Sequence, residues 1–319
     1  MGGGGGVKLK VEKGQFGILV VMKTIVGHKG ADLDAIMSIW ILKRFKTGWE
    51  NAELDFVPAG DRLDGEYVEK GGTIEVQENG REVIHVDTGL GKLDHHHTGD
   101  MNLCAAKLTY EYVLADETSL LHAHETKKSA VDRMVAFAVD IDHFQEIFYP
   151  NSRSDLIDLS IVGIIDGYKM THEYDDHALC EYIFEALDAI LHTLEAKIYA
   201  EVEIEEKGKS FDSKFGKALS IETVNDAVMK EGLKMGHDIV VRRDPNHGFI
   251  RIKAKPAKRG EETHDIDLTS VYEWLVHEDA DATWFLHASK RMLLNGSAKN
   301  PNSRPSQKSL EEIVEFLKK

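Results

Sequence analysis

Residues 23–48, KTIVGHKGADLDAIMSIWILKRFKTG, decide how this chain is read. KTIVGH is a short apolar run that reads as a buried strand. From Asp32 onward Ile36, Ile39, Trp40, Leu42 and Lys43 fall three and four apart, the period of a helix. Gly48 follows as a C-cap candidate. Between strand and helix the chain places His28, Asp32 and Asp34 within seven residues, with Gly27 and Gly30 to let it bend. Side chains of this kind placed so closely repel or stay hydrated unless something neutralises them.

Outward from this stretch, LDFVPAG (54–60) and REVIHVDTG (81–89) read as further strands. Strand, helix and strand at this spacing imply a parallel sheet with crossover helices, whose ligands gather beyond the carboxyl ends of the strands. Gly27–His28, Ala59–Asp61 and Asp87–Gly89 all sit at such ends. Helical stretches follow over 104–116 and 127–148, then a turn at YPNSRSD (149–155) and the apolar segment DLIDLSIVGIIDGY (155–168). A long helical segment begins at His177. Beyond it the grain changes: a strand over 218–224, a hairpin over 237–255 turning at Asp-Pro-Asn-His-Gly, and helices over 269–278 and 309–319. The expected division is a tail or extra edge segment (1–21), a metal-binding catalytic domain (22–175), a connecting helix (176–205) and a smaller α+β C-terminal domain (206–319).

Apolar residues make up 42% and charged residues 29% of the 319, as in a globular protein. No apolar run approaches the ~18–20 residues of a membrane span. Two distant cysteines, Cys104 and Cys180, give no disulfide framework and suit a reducing, cytoplasmic setting. The net charge of −16 argues against wrapping long nucleic acid, which calls for a basic face. Most of the 55 acids are solvated surface.

Some are not. His28, Asp32 and Asp34, then Asp87 in "IHVDTG", then Asp94, His95 and His96 in "LDHHHTG", and a downstream aspartate form one ordered set. Carboxylate oxygen and imidazole nitrogen suit manganese, magnesium or cobalt better than a structural zinc, which favours Cys and His. Two cations about 3.5–4 Å apart would neutralise the cluster and drive a displacement at phosphorus.

"GHKGADLDAIMS", "HVDTG" and "DHH", in this order, resemble the successive motifs of the DHH phosphoesterase superfamily, which includes RecJ-like exonucleases, nanoRNases and family II pyrophosphatases. The resemblance covers about residues 23–170 and is similar in its short interval between Asp87 and Asp94 to the melanocyte-proliferating-gene branch. It implies a two-domain α/β fold with the active site in the cleft between the domains. It also implies two divalent ions, manganese preferred: His28 and Asp32 on one, Asp34, His95 and a fourth aspartate on the other, Asp87 bridging. Asp142 ranks first for the fourth aspartate, then Asp166, which follows an apolar run as a strand-end ligand would, then Asp140. His96 is implied to face the substrate phosphate, with Asp94 orienting its surroundings and His97 open to substrate.

In the second domain LHASKRMLLNGSAKNP offers His287, Ser289, Lys290, Arg291, Asn295, Ser297 and Lys299 and resembles the family's substrate loop without its glycine triplet. An amphipathic helix ending in an Asn-Gly cap is an equal reading. Asp61 and Asp64 read as turn residues; His122, His124, His143, His172, His177 and His192 as solvated or core residues; Trp274 and Trp284 as core. The expected function is metal-dependent hydrolysis of phosphodiester bonds in short oligonucleotides or small nucleotides, with no long-duplex or membrane partner and a homodimer open. A small-phosphate phosphatase, an inorganic pyrophosphatase and a non-catalytic nucleotide-binding module are the alternatives.

Overall fold

The computed structural model describes residues 21–173, 175–257, 266–296, 300 and 302–319. The expected tail, Val21 apart, and Ser297 and Lys299 lie outside the described residues. The chain divides into two compact units. One takes the described residues through Ala123 together with Val135–Glu185, the other the described residues of His124–Met134 and Ala186–Lys319.

The first unit opens with β1 (Lys23–His28), α1 (Leu33–Phe45) and β2 (Glu53–Val57), followed by β3 (Tyr67–Glu69), β4 (Glu75–Gln77) and β5 (Glu82–His85). The sheet order is β2-β1-β5-β4-β3. β1 pairs in parallel with β2 and β5, whereas β4 runs antiparallel to β5 and β3 to β4. The sheet is therefore mixed, not parallel throughout. Segments joined through Gly71–Gly72 and Asn79–Gly80 are too close in sequence for a crossover and fold back as hairpins. β2 stops at Val57, one residue before Pro58, which cannot donate to a ladder.

α1 is buried on nearly every face: Ile36, Ile39, Trp40, Ile41 and Leu42 are fully enclosed. A helix apolar all round is a core helix, and each such side chain stabilises the fold by about 1.5–3 kcal/mol. Asp32 caps its start, with Oδ1 accepting from Ala35 N at 3.1 Å. The helix ends at Phe45 with Lys46 as cap; Gly48, expected there, takes φ +80 in the turn beyond.

Four more helices follow: α2 (Ala105–Ala115), α3 (Glu125–Asp142), α4 (Ile161–Thr171) and α5 (Asp176–Lys207). Segment 155–168 is thus not a strand: Ser160 caps α4 through its hydroxyl, and the apolar run is helical.

The second unit carries β6 (Lys209–Ser213), β7 (Gly216–Glu222), α6 (Val228–Lys234), β8 (Ile239–Arg243), β9 (Ile250–Ala254), α7 (Thr269–Glu278), β10 (Phe285–Leu286), β11 (Met292–Asn295) and α8 (Leu310–Lys318). Among the described residues its six strands run β10-β11-β9-β8-β7-β6, with β8 and β9 forming the expected antiparallel hairpin. Val241, Ile252, Leu275, Leu293 and Ile313 centre its core. Stretch 284–301 forms the β10–β11 hairpin over its described part, which overturns the helix reading. Among the described residues no helix is long and apolar enough to cross a membrane.

Candidate metal centre

Two chain reversals build the site. The first follows β1. Gly30 takes φ +70, and the Asp176 carboxylate accepts from Gly30 N at 3.0 Å and Ala31 N at 2.9 Å. Asp176, 145 residues away from Ala31, thereby clamps the loop between His28 and α1.

The second reversal follows β5. Val86 bridges to Leu93, and Asp87 N donates to Leu93 O at 3.0 Å, closing a small loop. Asp87 and Leu90 adopt φ +53 and +50, conformations that cost about 1–2 kcal/mol each for residues with a Cβ. Gly89, at φ +73, has no room for one: a Cβ there would lie 2.8 Å from Arg62 Cγ and 3.2 Å from Asp61 O. The closed loop returns Asp94, His95 and His96 to the side of Asp87.

The resulting geometry centres on His95 Nε2. It stands 3.6 Å from Asp34 Oδ2, 3.6 Å from Asp87 Oδ1 and 3.6 Å from Asp142 Oδ2. That spacing is too long for hydrogen bonds. It is close to the separation of two atoms that each ligate one cation at about 2.1 Å, roughly 3–3.5 Å apart. On the other side of Asp87, His28 Nε2 lies 3.2 Å from Asp87 Oδ2 and 3.9 Å from Asp32 Oδ1. His28 Nδ1 donates to Lys29 O at 3.0 Å, which in the neutral ring leaves the Nε2 lone pair facing the carboxylates, the tautomer a ligand needs.

Among the described residues three buried atoms here have no hydrogen-bond partner: Asp87 Oδ1, His95 Nε2 and Asp142 Oδ2. Leaving such groups unpaired costs about 1–3 kcal/mol apiece. All three belong to the same contact set, and oxygen and nitrogen donors in that combination fit a hard or borderline divalent ion. Asp34 differs: its oxygens accept from Ala105 N and Ala106 N, each at 2.7 Å, at the start of α2. Those bonds lock its orientation, as the supporting bonds of metal-binding carboxylates do.

Proton affinities report the same crowding. The Asp87 carboxylate beside His95 lifts its pKa to about 9 against the opposing effect of burial, with Asp142 and Asp34 adding to the rise. For His28, burial alone would lower the pKa, but the bond to Asp87 and the nearby carboxylates carry it to about 9. Burial pushes Asp34 up, and Asp87 beside it pushes in the same direction. Asp142 is raised by burial, partly opposed by His95. Asp87 ends below the usual carboxylate range, because burial is outweighed by His28 and His95. Protons and a divalent ion would satisfy these groups in the same way, so they compete.

His28, Asp32, Asp34, Asp87, His95 and Asp142 are thus brought together. The alternatives to Asp142 are not: Asp166 lies within α4, 57% exposed and 4.0 Å from Lys169 Nζ, and Asp140 is taken by Tyr149 Oη at 2.6 Å. Asp94, expected among the catalytic groups, is buried, with Oδ2 accepting from Leu90 N and Oδ1 from His96 N and Nδ1. Its contact is with the His96 imidazole, at 2.8 Å. His96 is exposed and its Nδ1 is 3.6 Å from Asp87 Oδ1. His97 is exposed beside it.

The residues expected in the second unit are engaged there. His287 Nδ1 and Ser289 Oγ are 2.8 Å apart, Lys290 Nζ pairs with Asp267 at 2.9 Å, and Arg291 Nη1 donates to Lys255 O at 2.7 Å. Asn295 corrects the expectation outright. It is fully buried, donates to Thr283 O and Arg304 O, and accepts from Ser306 N at 2.7 Å, so no polar group of its amide is left for a substrate.

Two neighbours escaped the sequence reading. His143, which the sequence places among solvated or core residues, donates through Nε2 to Leu103 O at 2.8 Å and lies 3.7 Å from Asp142 Oδ2. Its position directly after Asp142 was the available signal. Nothing local marked Asp176.

Neither a family of known sequences nor a curated protein matches the chain. Solved structures similar to it include an uncharacterized protein from Helicobacter pylori G27 (12% identity, 93% of this chain and 98% of that one, TM-score 0.32). They also include the DHH domain of a member of the s1p family of ribosomal proteins (12%, 93% and 85%, TM-score 0.29). A third is a Methanococcus jannaschii protein assigned as a family II inorganic pyrophosphatase (12%, 93% and 99%, TM-score 0.20). Likenesses this faint carry no weight beside the side-chain geometry.

Proposed function

We propose that the chain is a divalent-metal-dependent phosphoesterase that hydrolyses phosphodiester bonds of short oligonucleotides or small nucleotides, with manganese preferred. The observation that supports this best is the set of three partnerless buried atoms, Asp87 Oδ1, His95 Nε2 and Asp142 Oδ2, gathered around one imidazole. In this reading about two ions are held, one by His28, Asp32 and Asp87, the other by Asp34, Asp87, His95 and Asp142.

When bound, the ions supply Lewis acidity at phosphorus and lower the pKa of water. The protein residues orient and move protons. Asp94, a pure acceptor when ionised, accepts a hydrogen bond from His96 Nδ1–H at 2.8 Å and so fixes the ring. Nε2 of the imidazolium is then the atom that donates a proton to the leaving oxygen as its bond to phosphorus breaks. The net charge of −16 favours short, small substrates over long duplexes.

The test is a manganese-supplemented screen of di- to decanucleotides, cyclic dinucleotides, 3′-phosphoadenosine 5′-phosphate and pyrophosphate. Turnover of nucleotide phosphodiesters, abolished by chelator, is expected. Turnover of pyrophosphate alone would replace the substrate class, and nucleotide binding without any turnover would make the chain a binding module.

A further inference from the structure

Two cavities of about 440 Å³ lie in the first unit, and their charges are opposite. One is lined by Asp32, Asp34, Asp142, Glu146, Asp158 and Asp166 among apolar residues, with no cation among the described residues. It borders the candidate metal centre, which shares Asp32, Asp34 and Asp142 with its lining. The other is lined by Arg62, Lys70, Lys92, His97 and Thr98, with Glu75 as its one carboxylate among the described residues. In a chain with 55 acids against 39 Lys and Arg, three cations facing one acid is a departure that needs a cause.

The single acid does not balance the lysines. Glu75 is 2% exposed, and its two oxygens are engaged: one pairs with Arg62, and the other accepts from Gly71 N at 2.7 Å. Arg62 in turn donates through Nη1 to Gly89 O at 2.8 Å. His85, buried behind this pair, accepts from Leu63 N at 3.1 Å, and burial followed by the Arg62 charge lowers its pKa to about 4. The Arg62–Glu75–His85 set is thus a fixed floor, tied to the backbone of the loop that carries Asp87. Lys70 and Lys92 stand on it exposed and, among the described residues, in no ion pair; Lys70 Nζ lies 5.8 Å from the Tyr67 ring centre.

We propose that this basic cavity is an anion subsite that takes a phosphate of the substrate other than the one being cleaved. Its wall includes His97, the residue next to His96, so it borders the reacting end of the loop. Lysine ammonium groups without carboxylate partners suit the compact charge of a phosphate. The substrate class narrows to nucleotides with at least two phosphates, such as 5′-phosphorylated dinucleotides, in preference to lone phosphodiesters. This narrowing rests on the phosphoesterase reading; the anion subsite itself does not.

The test uses the double variant Lys70→Ala/Lys92→Ala of the full chain, in two arms. In the first, metal-free protein in chelator is titrated calorimetrically with pyrophosphate, so that the acidic cavity offers no cation to the anion. Wild type should bind at least tenfold more tightly than the variant; equal or undetectable binding by both would overturn the proposal. In the second, a 5′-phosphorylated dinucleotide and its 5′-hydroxyl counterpart are compared with manganese present. The variant should raise KM at least tenfold for the first and less than twofold for the second; equal changes for both would overturn it. If no nucleotide is turned over by wild type, the hydrolase reading fails, while the titration still decides the subsite.

Discussion

The loop from Asp87 to His97 and the hairpin from Phe285 to Asn295 are both rich in polar side chains, and the fold treats them in opposite ways. In the loop, buried polar atoms are gathered and left without partners: Asp87 Oδ1 and His95 Nε2, with Asp142 Oδ2 beside them. At the base of the hairpin they are satisfied. Asn295 uses both ends of its amide, and the buried Asp279 accepts from Trp284 Nε1, Ser306 Oγ and Gln307 N. Partnerless buried groups gathered at one spot suit completion by an ion or water, whereas complete networks hold structure. The contrast separates a site from a staple better than residue type does, since the hairpin has the more basic sequence.

The largest expected effect is at Asp87, the carboxylate that His28, His95 and His96 all approach. Asp87→Asn should lower turnover by a factor of about 1,000, roughly 4 kcal/mol of transition-state stabilisation, with the fold intact by circular dichroism. Retained turnover would remove the loop from the chemistry. A paired substitution sharpens the same side. Asp142→Asn should lose bound manganese and most activity, while Asp166→Asn, in α4 and exposed, should change neither; the reverse outcome would require redrawing the site.

On the hairpin side the readout is stability. Asn295→Ala removes three hydrogen bonds, one of them fully buried, and should destabilise the protein by about 3 kcal/mol in urea unfolding, with kinetics of the folded fraction unchanged. Altered KM at unchanged stability would return Asn295 to substrate binding.

The proton affinities allow a subtler check. His28 and His95 have pKa values near 9 against an ordinary 6.5. Their contribution to the stability of the metal-free protein is complete below about pH 6.5 and is lost as pH rises through about 9. The urea midpoint of metal-free protein should therefore fall over that window. Manganese should flatten the fall by taking the place of the protons. A midpoint independent of pH without metal would contradict the crowding at the site. The smallest expected effect is that of Arg291→Ala, less than a threefold change in kcat/KM, because Arg291 donates to Lys255 O within its own unit. A tenfold rise in KM would restore the hairpin as a phosphate contact.

The sequence made the local parts legible. β1 and α1 were readable because an apolar strand and a 3.6-residue period declare themselves within about ten residues, and His28, Asp32 and Asp34 lie at their junction. Asp87, His95 and Asp142 could be ranked by ordered motifs. What escaped depends on contacts distant in sequence. Asp176 holds the backbone at Gly30 and Ala31, and no local pattern announces an acceptor for two amides so far away. β3 and β4 are three residues each, too short to show alternation. In α4 the apolar run is short enough to fit strand or helix, and the Ser160 cap was the overlooked cue. Residues 284–296 misled because a basic, hydroxyl-bearing composition says nothing about whether its donors are already engaged.

The most direct test of the account is equilibrium dialysis of the full chain against manganese, with bound metal measured by elemental analysis, for wild type beside Asp87→Asn. The account predicts about two ions per wild-type chain and a loss of at least one in the variant. Wild-type protein that binds no manganese, or a variant that binds as much as wild type, would contradict it.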